Sequence, residues 1–237
     1  MSQPGVLYLL PVPISLYKPE RFFSAYQSEV IQSLRYFIAE DAKVARRNLK
    51  WFGYANLPDA DIQLLNEHSR EQDLSSLLAP LLRGDNVGLM SDAGCPGIAD
   101  PGAAVVRLAH QLNIRVETLV GPSSIVMSIM ASGFNGQNFA FVGYLPVEGP
   151  AKQKRIRELE ALSEKQDQAQ FFIETPYRNT ALFDALLQAL KADTKVFIGR
   201  DFGSEQALVQ VKTVKQWKLQ PKPELHKIPV VFGLYTH

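Results

Sequence analysis

The residues best suited to chemistry stand directly after short apolar runs in the first half of the chain. One such segment, residues 91–102 (SDAGCPGIADPG), combines the carboxylate of Asp92 with three glycines and two prolines. Glycine adopts backbone conformations that other residues avoid, and proline fixes φ and removes an amide donor. The pattern predicts a shaped stretch of main chain that a ligand can approach closely. A crowded strand-to-helix connection without a ligand is the alternative.

Polar side chains also follow two other apolar runs, at residues 35–39 and 62–65. A carboxylate or an imidazole at such a position can deprotonate or orient an acceptor hydroxyl group. Capping of the next helix and surface solvation are the structural alternatives. The candidate catalytic residues are Glu40, Asp41, Glu67 and His68.

A second small-residue turn, Gly121-Pro122-Ser123-Ser124, follows the run 114–120. Ser123 or Ser124 can cap the helix that begins there, and the amides and hydroxyls of this turn can contact a ligand. The carboxyl ends of parallel strands form the usual ligand-binding edge of an α/β sheet. The two turns and the loop after Leu10 therefore predict one binding site.

Several site classes are excluded by the sequence. It has neither G-x-G-x-x-G after the first strand nor G-x-x-x-x-G-K-[ST], so an ordinary dinucleotide or P-loop site is not supported. Cys95 is the single cysteine, which rules out an internal disulfide and a cysteine-built metal site. We expect Cys95 to be a small packed side chain rather than a nucleophile, and we expect no metal requirement.

Composition points to a globular protein without a global charge bias. The chain has 237 residues, 46% of them hydrophobic and 21% charged, with a formal net charge of +1. Any basic surface for nucleic acid must therefore be local. No basic N-terminal region with a long apolar run and no stretch of about 18 apolar residues is visible, so we expect a cytoplasmic protein outside the membrane.

The first half must position these residues by alternating strands and helices. Apolar runs that predict strands lie at 6–10, 35–39, 62–65, 87–90 and 114–120. The intervening segments have helical spacing, with a first helix opening at Pro19-Glu20 and a basic helix from Lys43 to Lys50. This alternation predicts an α/β domain, residues 1–146, with a mostly parallel sheet flanked by helices.

The second half has a different pattern. Residues 152–163 and 182–190 predict helices, and predicted strands lie at 139–144, 171–174, 196–199, 208–211 and 228–232. The last strands have no long helices between them, which indicates hairpin-like pairing. We therefore predict a second α+β domain, residues 147–237, with a mixed sheet that closes over the ligand turns.

Ordered motifs along the chain resemble those of the tetrapyrrole methylase superfamily. They are GVLY at 5–8, AED at 39–41, SDAGCP at 91–96, DPG at 100–102, GPSS at 121–124, GYLP at 143–146 and ETPYR at 174–178. The set is most similar to the small-subunit rRNA (cytidine-2′-O)-methyltransferase branch, which typically has S-D-A-G-T-P, D-P-G, P-G-P, G-F-L-P and E-S/A-P-H-R. The resemblance covers most of the chain.

This resemblance implies two α/β domains, a homodimer, and S-adenosylmethionine folded into the cleft between the domains. It implies transfer of a methyl group, with ribosomal RNA or the small ribosomal subunit as the expected partner. The candidate cofactor-binding residues are Pro13, Asp92, Ala93, Gly94, Cys95, Pro96, Gly121, Ser123, Ser124, Tyr144, Leu145 and Glu174. The candidate substrate contacts are Arg178, Lys43 and Arg70.

The sequence departs from that branch where the acceptor is chosen. The branch has T-P-I-G-N in its first loop and E-D-T-R in its acidic motif, whereas this chain has PVPISL at 11–16 and Ala42-Lys43 after Asp41. Its K-G-E before the last strand is replaced by HKIP at 226–229. A tetrapyrrole or other small acceptor, or a catalytically silent cofactor-binding homologue, are therefore the alternatives to an rRNA ribose hydroxyl.

Two clusters of cations are candidates for contacts to RNA phosphates. One lies on the predicted helix after Glu40 and the other on the helix after the predicted domain boundary. Their members are Arg46, Arg47 and Lys50, and Lys152, Lys154, Arg155 and Arg157. Such contacts would make binding strongly salt-dependent. An ordinary solvated helix face is the alternative.

Overall fold

The computed structural model describes residues 3–15, 22–65 and 71–237, with the backbone alone for 71–73. The chain divides into two compact units, Met1–Ser123 and Ser124–His237. Each unit has its own five-stranded sheet in the described residues.

The first unit alternates strands and helices, as its sequence pattern predicts. Its strands are β1 Val6–Leu10, β2 Tyr36–Ala39, β3 Asp61–Leu64, β4 Val87–Met90 and β5 Arg115–Thr118. Its helices are α1 Ala25–Ser33, α2 Ala42–Trp51, α3 Glu71–Leu77, α4 Ala79–Leu82 and α5 Gly102–Gln111, with a short 3₁₀ helix at Leu57–Asp59. The strands run parallel in the order β3-β2-β4-β1-β5.

Helices cover this sheet on both faces. Apolar residues of α1 and α2 share one buried cluster with Leu10, Phe37 and Met90. Residues of α3, α4 and α5 share the other cluster with Leu7 and Leu89. Strand β4 lies between β1 and β2, and the chain leaves β4 toward the opposite face from its two neighbours. Diverging connections of this kind open a crevice at the carboxyl ends of the strands.

Helix starts in this unit follow local side-chain chemistry. The carboxylate of Asp41 accepts a hydrogen bond from the Val44 amide at 2.8 Å and so caps α2. The hydroxyl of Ser24 caps α1 in the same way. The predicted opening of the first helix, Pro19-Glu20, lies outside the described residues, and Phe22 precedes the helix, which starts at Ala25.

The second unit builds a mixed sheet. Its strands are β6 Phe139–Tyr144, β7 Ala169–Ile173, β8 Lys195–Arg200, β9 Leu208–Thr213 and β10 Val230–Tyr235. Its helices are α6 Ser124–Ser132, α7 Gly149–Gln166, α8 Asn179–Ala189 and α9 Val214–Lys218. The order is β6-β7-β10-β8-β9, with β6 and β7 parallel and the other neighbours antiparallel.

Aromatic side chains dominate the core of the second unit. Phe171, Phe172, Phe197 and Phe232 are fully buried on its central strands, and Trp217 of α9 packs edge-on against Phe183 of α8. Burial of one such side chain contributes roughly 1.5–3 kcal/mol relative to exposure. This core therefore stabilises the second sheet independently of the first.

The predicted α/β class, with a parallel first sheet and a mixed second sheet, is confirmed. The division into units follows Ser123, whereas the predicted domain boundary lies after Pro146, and β6 pairs with β7 in the second sheet. The short helix α9 lies between β9 and β10, a segment for which the sequence pattern predicts no long helix. Among the helices that the structure describes, none is long and apolar enough to span a membrane.

Candidate functional site

Three strand ends of the first unit are joined by hydrogen bonds. The loop after β1 and the turn after β4 form an isolated antiparallel bridge, in which the amide of Val12 donates to the carbonyl of Gly94 at 2.9 Å and the amide of Gly94 donates back at 3.2 Å. The thiol of Cys95 donates to the carbonyl of Pro122 at 3.4 Å, in the turn after β5. The structure thus brings together the three loops that the sequence selects.

The turn after β4 is shaped by its own polar groups. The buried Ser91 hydroxyl donates to the carbonyl of Ala93 at 3.0 Å. The carboxylate of Asp100 accepts from the amides of Gly97 and Gly102 at 2.9 and 2.7 Å. Gly94 and Gly97 have φ values of +75° and +84°, which residues with a Cβ rarely adopt. The backbone shape of 91–102 is therefore specified by its sequence.

Gly121 is required for close packing rather than for its backbone angles. A Cβ built at this position would lie 2.2 Å from the Cβ of Pro11, so any side chain would push the β5 and β1 loops apart. Pro13 is buried beside this contact region, as are Gly94 and Pro96 of the β4 turn, whereas Ala93 is exposed. Glycine at 121 therefore keeps two walls of the site together.

The end of β2 joins the site through its carboxylates. The Asp92 amide donates to Glu40 Oε1 at 3.3 Å, and the Asp92 carboxylate accepts from the main chain at Asp41. Glu40 is half-buried. The side chain of Asp41 is committed to capping α2, which is the structural role that its position also allows.

Three carboxyl groups in this region have raised pKa values. Burial raises the pKa of Glu40, and the charges of Asp100 and Asp92 raise it further against the opposing hydrogen bond from the Asp92 amide. Loss of hydration and the charge of Asp41 raise the pKa of Asp92, which Arg47 lowers in part. Burial also raises the pKa of Asp100, although three backbone amides oppose the shift. Burial therefore disfavours the ionised forms of these three carboxyl groups, and neighbouring like charges add to the effect at Glu40 and Asp92.

This edge of the sheet is suited to a cationic ligand. In the described residues, neither Glu40 nor Asp92 nor Asp100 forms an ion pair with Lys or Arg. No group of three or more potential ligands among the described residues is arranged to hold a metal ion. An ammonium or sulfonium group placed here would relieve the mutual repulsion of the carboxylates.

Cys95 is not activated as a nucleophile. Burial and the nearby Asp100 raise the pKa of its thiol, so the reactive thiolate is disfavoured. Its half-buried sulfur packs between the β4 and β5 turns, where it donates a hydrogen bond. The predicted packing role fits this environment.

A second group of candidate residues lies in the second unit, just after β7. The buried Glu174 accepts from the Arg178 guanidinium at 2.7 Å and from the Thr175 amide at 2.7 Å. The ammonium of Lys152, on α7, lies 3.8 Å from the other carboxylate oxygen. Although burial alone would raise it, the pKa of Glu174 is held below its usual range by these partners. The carboxylate of Glu174 therefore positions Arg178, whose side chain is partly exposed.

The remaining predicted residues have varied environments. Tyr144 ends β6 and is exposed, whereas Leu145 is buried in the core of the second unit, so its backbone alone is available to a ligand. Ser124 is the first residue of α6, and its carbonyl accepts from the Ser128 hydroxyl. Lys43 is exposed on α2. The predicted residues Glu67, His68 and Arg70 lie outside the described residues.

Three further residues join these groups: Asp100, which was not selected as a site residue, and Arg47 and Lys152, which were expected to contact RNA phosphates. Lys152 is buried, so the structure does not present it to RNA. Asp100 folds the β4 turn, Arg47 offsets the charge of Asp92, and Lys152 lies beside Glu174. The D-P-G step at 100–102 is a sequence signal for the first, because an aspartate before Pro-Gly commonly binds backbone amides of its own turn. The pairing of Lys152 with Glu174 spans two elements and has no local signal.

Comparisons with known proteins place the chain in one family. The family model described as Tetrapyrrole (Corrin/Porphyrin) Methylases matches residues 27–217. The protein named ribosomal RNA small subunit methyltransferase I is 29% identical in Escherichia coli O157:H7 over 83% of this chain, and 30% identical in Bacillus subtilis strain 168 over 84%. The chain spans 65% and 64% of those two relatives.

A solved structure shares the fold. The crystal structure of the methyltransferase CobJ aligns with a TM-score of 0.65 over 99% of this chain and 95% of that one. The two sequences are 14% identical, so the similarity concerns the fold alone.

Proposed function

We propose that this chain, which belongs to the family of tetrapyrrole (corrin/porphyrin) methylases, is an S-adenosylmethionine-dependent methyltransferase. The observation that carries the proposal is the acidic, glycine-shaped edge where the β1, β2, β4 and β5 loops meet. We further propose that the acceptor is a ribose 2′-hydroxyl of small-subunit ribosomal RNA, because the relatives that match most of this chain are named as methyltransferases of that RNA.

The residues of the first unit fit S-adenosylmethionine. This molecule has no phosphate, but it carries an ammonium group, a sulfonium centre and a carboxylate. Asp92 would accept from the ammonium, and the carboxylates of Glu40 and Asp100, which form no ion pair within the described part of the chain, would favour the cationic centres. The main chain of 93–96 and Gly121 would frame the ligand closely. When bound, the cofactor supplies a methyl group activated for attack by an oxygen nucleophile.

Glu40 is the described residue best suited to activate the acceptor. It is half-buried at the end of β2, and a carboxylate with a raised pKa is a stronger base than an ordinary glutamate. One oxygen accepts from the Asp92 amide, which leaves the other to take the proton of the acceptor hydroxyl. Alignment of reacting atoms near contact distance can contribute roughly 7–11 kcal/mol in favourable systems.

Contacts to the acceptor would come from exposed cations near these groups of residues. Lys43 lies on α2 next to the cap residue Asp41, and Arg178 is held by Glu174 with part of its side chain exposed. We propose both as contacts to RNA phosphate or ribose oxygens. A homodimer, and a reaction in the cytoplasm where small ribosomal subunits are assembled, complete the proposal.

Calorimetric titration with S-adenosylhomocysteine tests the cofactor assignment. We expect saturable binding that is weakened by Asp92→Asn and unchanged by Asp61→Asn. Asp61 is exposed at the start of β3, at the opposite edge of the same sheet, and provides a control with the same charge change. Absence of binding at millimolar ligand would exclude the cofactor.

Methyl-label transfer tests the acceptor. The purified protein, with labelled S-adenosylmethionine, is incubated with extracts and small ribosomal subunits from a strain that lacks it, and the labelled fraction is sized. We expect label in small-subunit RNA at a ribose oxygen and a strong loss of rate in Glu40→Gln. Cofactor binding without turnover on any acceptor would instead support a silent homologue.

A small-molecule acceptor is the second candidate, because the family description names corrins and porphyrins. It predicts label in a low-molecular-weight fraction of the same extract and no salt-dependent affinity for RNA. The two candidates share the first-unit residues and differ in the labelled product, so one experiment separates them.

A further inference from the structure

A cleft of about 320 Å³ lies in the second unit, on the side of the sheet edge formed by β9. It is wholly contained in residues 124–237 and shares no residue with the strand-end loops of the first unit. Polar and cationic side chains from two strands and the segment after α9 line it together with two prolines. The lining residues are Arg200, Leu208, Gln210, Lys212, Trp217, Gln220, Pro221, Pro223 and Glu224.

Two cations stand at this cleft with few acidic neighbours. Arg200 donates to the main-chain carbonyl of Glu224 at 2.5 Å, and its Nε is buried without a hydrogen-bond partner in the described part of the chain. Lys212 donates to the amide oxygens of Gln210, at 3.0 Å, and Gln220. Neither cation forms an ion pair among the described residues. Both positive charges are therefore available to an anionic ligand.

The two cations are spaced along the strands rather than clustered. Arg200 of β8 is the partner of Leu208 on β9, and Leu208, Gln210 and Lys212 alternate on one face of β9. Lys212 lies four residue steps beyond Leu208, or about 13 Å along the strand. Cations attached at separated positions of the backbone can contact successive phosphates of an extended polyanion.

The local charge balance also favours a polyanion. Residues 212–227 contain five lysines, one histidine and a single glutamate, although the whole chain has a net charge of +1. Lys215 and Lys218 of α9 are exposed, and Lys222 pairs with Asp184 at 2.6 Å. The segment from Lys212 to Lys227, which forms one side of the cleft, is therefore basic and suits contact with a phosphate backbone.

We propose that this basic cleft binds the sugar-phosphate backbone of RNA, with Arg200 and Lys212 on separate phosphates. The choice of RNA among polyanions rests on the proposed function. The glutamine amides that hold Lys212 add donors for phosphate or ribose oxygens. The cleft supplies affinity for the substrate strand and takes no part in methyl transfer.

Trp217 provides a direct optical readout. It lines the cleft, its ring lies under the Lys212 ammonium at 4.5 Å, and its indole donates to the carbonyl of Val196 at 3.0 Å. The chain has only one other tryptophan, Trp51, so Trp51→Phe leaves a single reporter. We expect a single-stranded RNA 12-mer to change Trp217 fluorescence on binding in this background, and to do so less at higher salt.

The decisive comparison is between Lys212→Gln, Lys212→Arg and Lys165→Gln. Loss of one phosphate contact should weaken RNA affinity several-fold and lower the slope of log K against log salt by about 0.7. Lys212→Gln should show both effects, Lys212→Arg should retain most of the affinity, and Lys165→Gln, exposed at the end of α7, should match the wild type. Arg200→Gln should behave like Lys212→Gln, with the far-ultraviolet spectrum as a check of folding.

Different experimental results would contradict RNA binding in the cleft and the proposed methyltransferase function. Equal affinity and slope in Lys212→Gln, Arg200→Gln and the wild type would overturn the cleft assignment while leaving methyl transfer intact. Competition by low-millimolar inorganic phosphate as effective as by the 12-mer would also overturn it in favour of a single-anion site. Absence of any RNA binding or RNA methylation, with S-adenosylhomocysteine still bound, would remove the RNA substrate itself.

Discussion

The two units place their carboxylates in opposite electrostatic environments. In the first unit, Glu40, Asp92 and Asp100 are held near one another with raised pKa values and with no ion-pair partner in the described residues. In the second unit, one oxygen of the buried Glu174 carboxylate accepts from Arg178 and Thr175, and the Lys152 ammonium lies 3.8 Å from the other oxygen. Neighbouring carboxylates without an ion pair suit a ligand that brings the opposite charge, and an ion-paired carboxylate suits a structural role.

This difference separates binding groups from supporting groups. The acidic edge destabilises the unit when no ligand is bound, and a bound cation removes that destabilisation. The first unit therefore has the character of a ligand site. Glu174 already has its partners, and we expect its removal to damage the fold before it affects any ligand. Substitutions in the two units should therefore change different observables.

The largest effect should come from Glu174→Gln. Loss of the carboxylate leaves Lys152 buried opposite a neutral amide, and breaking a buried pair from one side costs about 3 kcal/mol. Urea unfolding should show this loss at pH 7. The folded-state pKa of Glu174 is lowered, so its contribution is present above about pH 4.3, the unfolded value, and is lost as the pH falls through the folded value.

Glu164→Gln is the matched control for that prediction. Its carboxylate lies 2.6 Å from Lys191, closer than Glu174 lies to Lys152, but both partners are exposed. Exposed pairs contribute little because water and salt screen them. We expect a nearly unchanged midpoint, and an equal loss in both variants would show that burial does not distinguish the two pairs.

Gly121→Ala should have the next largest effect. The added Cβ would lie 2.2 Å from Pro11, and overpacking of this kind typically costs about 1–3 kcal/mol. We also expect weaker binding of S-adenosylhomocysteine, because the β1 and β5 loops must separate. Gly136→Ala meets no atom within 4 Å and serves as the control in the same calorimetric and unfolding experiments.

Asp92→Asn should weaken binding without weakening the fold. We expect about a tenfold loss of affinity for S-adenosylhomocysteine at pH 7, corresponding to about 1.4 kcal/mol. In the wild type, affinity should fall as the pH decreases through the raised pKa of Asp92, and the variant should lack that step. A raised folded-state pKa means that the ionised carboxylate opposes folding, so the thermal midpoint of the variant should not decrease.

The smallest effect should appear at the tyrosine hydroxyls. Tyr235 donates to Asp167, and this bond, with burial, raises the pKa of Tyr235 to about 12. Ultraviolet titration of Asp167→Asn should move one tyrosine toward a pKa of 10. In the first unit, Glu117 raises the pKa of Tyr26 in the same way, so Glu117→Gln should move a different single tyrosine.

The turns of the first unit can be recognised in the sequence because their main-chain geometry requires particular residue types. Gly94 and Gly97 occupy positive φ, Gly121 touches Pro11, and Asp100 binds amides within its own turn. Each requirement is local, so the residue types reveal it. The strand ends β1, β4 and β5 were predicted to meet, and the Val12–Gly94 bridge and the Cys95–Pro122 hydrogen bond join them.

Local sequence patterns do not reveal side-chain groups that are assembled from distant segments. Lys152 and Glu174 come from α7 and the end of β7, and Arg200 and Lys212 line one cleft only after β8 and β9 have paired. Tertiary pairing sets these contacts, and no local spacing encodes it. Helix α9 was also missed, because its five residues follow a strand and depend on a capping box formed by Thr213 and Gln216.

The position of β10 has a consequence for folding during synthesis. This strand is the last to be made in the second unit, yet it lies in the middle of the sheet, between β7 and β8. Until residues 230–235 emerge from the ribosome, the parallel pair β6–β7 and the hairpin β8–β9 remain separate pieces with apolar open edges. The first unit can complete its sheet much earlier. The open strand edges of the second unit are therefore most exposed to aggregation before β10 joins the sheet.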